Sequence, residues 1–156
     1  MIAINDYRQF IAELTSKASQ NSGVGIEKVR LAVTETQLVN LLKDQAGIIV
    51  AGNIPGSDIS NNGYWMARGE CLLMVLEKWA SDRQGTEWEY EEFGRIQTLM
   101  AAIVRLLTGE DFQEFCDKGE VDRSQYITIE WEYNEYGGFN GMSVKFFLKD
   151  LNGLGL

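Results

Sequence analysis

Hydrophobic and polar residues alternate with period two along both halves of the segment from Tyr126 to Lys149. Ile127, Ile129, Trp131 and Tyr133 alternate with Thr128, Glu130 and Glu132. Downstream, Met142, Val144, Phe146 and Leu148 alternate with Ser143, Lys145 and Lys149. Gly137-Gly138 separates the two runs and supplies the positive φ that a tight turn needs, so the segment predicts a β-hairpin. Centring the turn on those glycines pairs Tyr133 with Met142, Trp131 with Val144, Ile129 with Phe146 and Ile127 with Leu148. The opposite face then sets Glu130 against Lys145.

Helical spacing dominates elsewhere. Tyr7, Phe10, Ile11, Leu14 and Ala18 share one face of a first helix, with Asp6 and Gln9 at capping-box spacing. Gln20 to Gly25 reads as a loop, and Val29, Leu31 and Val33 alternate with Lys28, Arg30 and Ala32 in a half-buried strand. Thr34 and Gln37 cap a second helix through Leu38, Val39, Leu41 and Leu42, stopping near Gly47. Ile48-Ile49-Val50 is β-branched and bounded by glycines, which predicts a strand. Gly52 to Gly63 reads as a long loop holding the only proline, Pro55. Tyr64 to Trp79 is compatible with strand or helix, and strand is favoured because Ile48–Val50 needs a partner. A capping box at Thr86 and Glu89 opens a central helix bearing Phe93, Ile96, Leu99, Met100, Ile103, Leu106 and Leu107, closed by Gly109. A short helix with Phe112, Phe115 and Cys116 is expected next, ending at Gly119.

The order is therefore α-β-α-β-β-α-α-β-β in a single globular domain, 1–156. The fold class is α+β, a mostly antiparallel sheet with a C-terminal β-hairpin packed against a long central helix and additional N-terminal helices. Covering the hairpin's apolar face with that helix makes Trp131 core, so its replacement by Ala is expected to cost about 3–5 kcal/mol. Trp79 and Trp88 read as core for the same reason.

Composition narrows the chemistry. The 156 residues include 14 basic and 23 acidic side chains, a formal charge of −9, which disfavours nucleic acid as a partner. No apolar run approaches the roughly 20 residues of a membrane-spanning helix, so no membrane partner is expected and the reading is cytoplasmic. Cys71 and Cys116 sit among apolar neighbours and read as buried free thiols. Histidine is absent from the sequence. That removes the commonest general base and the commonest zinc ligand, leaving carboxylate or lysine chemistry.

Three patterns bear on a site. Asp58, Ser60, Asn62 and Gly63 match the opening of a calcium loop, but its twelfth position is Gly69 and Glu70 comes one residue late. Acidic residues crowd Asp82 to Glu92 and Glu110 to Asp122, where helix N-termini and solvent-facing surfaces account for them. No phosphate loop, dinucleotide fingerprint or nucleophile elbow occurs, and no catalytic residue, metal site or cofactor is expected. Aromatics at loop edges are enriched in interfaces, which makes Tyr64 and Trp65 beside the long loop, and Tyr136 and Phe139 at the hairpin turn, the candidate partner contacts.

Ile48–Ala51, Tyr64–Trp79, Glu91–Leu107 and Ile127–Leu148 together give an element order that resembles phage tail-terminator and related neck proteins, over about half the chain. The resemblance is one of layout and carries no functional residue with it. It implies a small α+β structural subunit that self-assembles as a homo-oligomer or ring and docks to other proteins, virion-associated if phage-derived. The leading expectation is a non-enzymatic structural or interaction protein. A small-ligand or regulatory binding module, with its pocket between sheet and central helix, is the alternative, and a carboxylate-dependent Mg²⁺ hydrolase the third.

Overall fold

The computed structural model describes residues 1–61, 65–79, 82, 84–109 and 117–150. Its elements are α1 (Ile4–Ser22), β1 (Lys28–Ala32), α2 (Glu35–Leu42), β2 (Ile49–Asn53), β3 (Asp58–Asn61), β4 (Trp65–Lys78), α3 (Glu87–Thr108), β5 (Glu120–Val121), β6 (Thr128–Glu135) and β7 (Phe139–Lys149). This is the expected α+β architecture. The expected helix around Phe112, Phe115 and Cys116 lies outside the described residues.

Two long strands form the centre of one mixed sheet. β4 and β7 pair antiparallel along their full overlap, Arg68 opposite Lys149 through Lys78 opposite Phe139. Each then carries two shorter strands on its other edge, β2 and β3 on β4, β5 and β6 on β7. β1 lies beyond β2 and runs parallel to it, the one parallel pair among those described. A parallel neighbour needs a crossover, and α2 supplies it. Gly141 permits the β4–β7 approach, because a Cβ there would collide with the Val75 carbonyl.

The alternation in β4 and β7 sorts residues between two cores. Cys71, Leu73, Val75, Val144, Phe146 and Leu148 face α1 and α3, where Phe10, Leu14, Ile96, Leu99 and Ile103 meet them. On the other face, Ile49, Ala51, Met74 and Leu76 lie under Leu38 and Leu42 of α2. Of the Tyr64–Trp79 segment, Tyr64 lies outside the described residues, and Trp65–Lys78 is thus a strand buried on both faces over its middle. Its continuous apolar run follows from having helices on both sides.

Several boundaries differ from expectation. α1 begins two residues before Asp6, with Ala3 as its N-cap. At α2, Thr34 Oγ1 accepts from Gln37 N at 3.2 Å and Gln37 Oε1 accepts from Val33 N at 2.8 Å, the expected cap with its return arm one residue earlier. α2 ends at Leu42, before Gly47. The Gly52–Gly63 loop contains β3, whose Asp58 and Ser60 lie opposite Arg68 and Met66. Those two candidate calcium ligands belong to an extended strand, and Asn62 and Gly63 lie outside the described residues.

The hairpin register is corrected by two residues. Trp131 lies opposite Met142, Ile129 opposite Val144 and Thr128 opposite Lys145. A bulge between Glu132 and Glu135 absorbs the difference. The left-handed conformations are not confined to the glycines: Asn134 and Tyr136 have φ of 54° and 50°, alongside Gly137 and Gly138. Asn134 N donates to Asn140 Oδ1 at 2.8 Å and holds the bulge. The shift is even, so the apolar face is unchanged. Lys145 reaches Glu70 of β4 at 3.4 Å rather than facing Glu130.

Candidate functional site

α3 lies over β4 and β7, not over β6. Ile96, Leu99, Met100, Ile103 and Leu107 are buried there, while β6 stands beyond the helix as an edge strand. The expectation that the central helix covers the whole hairpin is therefore corrected. Ile129, Trp131 and Tyr133 point to the helical side of the sheet but remain 44%, 52% and 49% exposed. Trp131 is not core.

What touches Trp131 is the shoulder of α3. Trp88, Trp79, Phe93 and Trp131 form a chain of edge-to-face contacts, with successive ring centroids 5.6, 5.3 and 5.1 Å apart. Such pairs add about 0.5–1.5 kcal/mol each beyond area burial. Tyr133 is tied to the start of the helix, its hydroxyl donating to Glu89 Oε1 at 3.3 Å. Glu89 is itself buried and its other oxygen accepts from Gly85 N. Partial desolvation and the Glu89 carboxylate together raise the Tyr133 phenol above its ordinary value.

Between helix and strand runs a groove of about 420 Å³ lined by Tyr90, Phe93, Gly94, Gln97, Trp131 and Tyr133, with Glu132 at its rim. Tyr90, Phe93, Gly94 and Gln97 are at i, i+3, i+4 and i+7, one stripe of α3 next to its core stripe. Gly94 keeps the groove open, since a Cβ there would meet nothing within 4 Å. The outer backbone edge of β6 pairs with no described strand. An apolar trough thus runs beside a backbone edge that no described strand pairs.

On the opposite flank of α3 lies a carboxyl pair. Arg95 Nη2 is 3.0 Å from Glu77 Oε1 and 2.7 Å from Glu92 Oε2. Burial, and then the hydrogen bond and charge of Glu92, push Glu77 up to about 7, against the opposing pull of Arg95. Glu77 can therefore hold its proton near neutrality. The pair pins α3 to the end of β4 and forms no part of the groove lining.

The other acids are dispersed. Asp122 is buried, and although burial alone would raise it, hydrogen bonds from Ser124 and Arg68 hold it below the ordinary carboxylate range. Glu120 meets Lys149 at 3.4 Å. No group of three or more metal-ligating side chains comes together among the described residues. Cys71 is a buried free thiol pushed up to about 12 by burial, and Cys116 lies outside the described residues. No described helix is long and apolar enough to cross a membrane.

The candidate contact residues fare unevenly. Tyr64 lies outside the described residues, and Trp65 enters only through its backbone as the first residue of β4. Tyr136 is half-buried and Phe139 is 2% exposed, both against the second core. The hairpin tip folds back onto its own sheet, so Phe139 fills core and presents no contact surface. The exposed set of Tyr90, Ile129, Trp131 and Tyr133 was not singled out as surface by the sequence. Period-two alternation tells which residues share a face and says nothing of whether a helix lies over it. Tyr90 was the available signal, since it falls off the core stripe of an otherwise amphipathic helix. No protein-family model matches this chain, and comparison with curated proteins returns no match.

Proposed function

We propose that this protein is a non-enzymatic structural subunit that works by docking another protein surface against the α3–β6 aromatic face. One observation carries the reading: four large apolar side chains are left uncovered together on the helix and on an edge strand whose outer side pairs with no described strand. Contiguous apolar patches are uncommon on monomers, and Tyr and Trp are the residues that interfaces favour. A backbone edge that no described strand pairs, beside such a patch, adds a means of strand addition. The resemblance in element order to phage tail-terminator and neck proteins supports an assembly role, in a virion or a prophage-like particle.

The test uses the protein at its natural level in its own cells. Gently prepared extract should show it eluting well above its monomer mass of 17.6 kDa. Replacing Tyr90 and Trp131 by Ser should return it to the monomer position without loss of the folded state. A wild-type protein eluting as monomer, or a double variant co-eluting with wild type, contradicts the reading.

A second reading rests on the groove itself. Its volume lies within the roughly 300–1,000 Å³ of small-ligand sites, which supports a ligand-binding or regulatory module. That reading predicts reproducible thermal stabilisation in a compound screen, abolished by Gly94→Leu.

A further inference from the structure

β6 and β1 lie at opposite sides of the sheet, neither pairing on its outer side with a described strand, and they are opposite in character. β6 presents Glu130 and Glu132 on one face and Ile129 and Trp131 on the other. At the far side, β1 presents Lys28 and Arg30 on one face and Val29 and Leu31 on the other. In a chain of net charge −9 this basic strand is a local exception. Its surroundings extend the charge. One groove beside it, about 570 Å³, is lined by Arg8, Arg30 and Lys43, while a second, about 420 Å³, opens between β1 and α1 and sets Glu27 beside Lys28.

The faces match as well as the charges. Val29 and Leu31 pack against the core under α1 and α3, and Ile129 and Trp131 lie opposite Val144 and Met142 of that same core face. Antiparallel pairing of β6 with β1 of a second copy sets Lys28 opposite Glu132, Val29 opposite Trp131, Arg30 opposite Glu130 and Leu31 opposite Ile129. Every charged pair is then of opposite sign and every apolar residue meets another.

Strand direction gives an independent check. Across the sheet, β2 is parallel to β1, β4 antiparallel to β2, β7 antiparallel to β4 and β6 antiparallel to β7. β6 therefore runs opposite to β1. A second copy placed beyond β6 in the same orientation as the first offers its β1 antiparallel to β6, with its helical layer on the same side. Self-pairing of two β6 strands compares poorly in the registers that overlap them most fully, which set Glu130 against Glu132 or Trp131 against Glu132.

We infer that copies of this chain associate head to tail, the β6 edge of one pairing with the β1 edge of the next. The inference rests on the proposed docking role of the β6 face and names its occupant. Such a contact is heterologous, so repetition closes a ring or extends a filament, according to the rotation between copies.

Sedimentation velocity of the full chain tests this. Wild type should form species larger than the monomer that diminish as salt rises. The variants K28E/R30E and E130K/E132K should each be monomeric alone, because each carries like-charged edges. An equimolar mixture of the two should regain assembly, since each then offers the edge the other needs. Arg30→Gln, a milder change, should weaken association roughly two- to fivefold. A monomeric wild type, undiminished assembly of K28E/R30E, or a mixture that stays monomeric overturns the inference. Assembly lost in Trp131→Ser but intact in K28E/R30E removes the head-to-tail contact while leaving the docking role of the aromatic face standing.

Discussion

At the scale of single residues, Glu77 ties ionisation to stability. Its carboxyl is pushed up to about 7 by burial and by Glu92, with Arg95 opposing. The folded state therefore holds a proton that the unfolded chain releases near its ordinary value of 4.5. This contribution is fully present below that value and is lost as pH rises through about 7. Its size is on the order of 1–3 kcal/mol. Urea midpoints at pH 5 and pH 8 should differ accordingly for wild type, and Glu77→Gln should narrow the gap. A gap unchanged in the variant would show that Glu77 does not titrate as described. Trp131 supplies a second contrast. Half exposed and held by one edge-to-face contact, it should cost about 1–2 kcal/mol on replacement by Ala. Phe146, fully buried in the main core, should cost about 3–5 kcal/mol by the same substitution. Equal losses would place Trp131 back in the core.

At the scale of elements, sequence pattern reached far but unevenly. The α1, α2 and α3 stripes, the strand character of the Leu72–Leu76 run and the hairpin all follow from periodicity, because each element buries one face or both. β3 was hidden within a polar loop, since a strand whose residues are all exposed has no apolar period to reveal it. The hairpin register escaped because Asn134 and Tyr136 adopt the left-handed region alongside the glycines, which adds a bulge that Gly137-Gly138 alone does not foretell. The site was legible only as alternation: Ile129, Trp131 and Tyr133 were known to share a face, while the lateral position of α3 is a property of the assembled layers. Gly94 offers a test at this scale. It sits in the exposed groove stripe of α3 with open space around it, so its presence is a cost in helix propensity. Gly94→Ala should stabilise the fold by about 0.5–1 kcal/mol in urea unfolding. Destabilisation would mean that the groove is occupied by atoms of the chain itself.

At the scale of the whole molecule, the sheet is polar from edge to edge. Its middle strands are covered on both faces over much of their length, while one edge is basic and the other acidic and aromatic. Monomeric sheets commonly protect their edges with charge and bulges, and β6 has both. Charge and a bulge do not account for Trp131, Tyr133 and Tyr90 lying uncovered together, and an interface does. The most direct measurement places a photo-crosslinking amino acid at position 131 in the protein expressed from its own locus, with position 4 as control. Ile4 is comparably exposed, at 51%, but stands at the start of α1, near Met1, which meets Asp150 beyond the end of β7 that β6 leaves unpaired. Irradiation should yield a discrete protein adduct from position 131 and none from position 4. No adduct at 131, or the same adducts from both positions, would contradict an interface on the α3–β6 face.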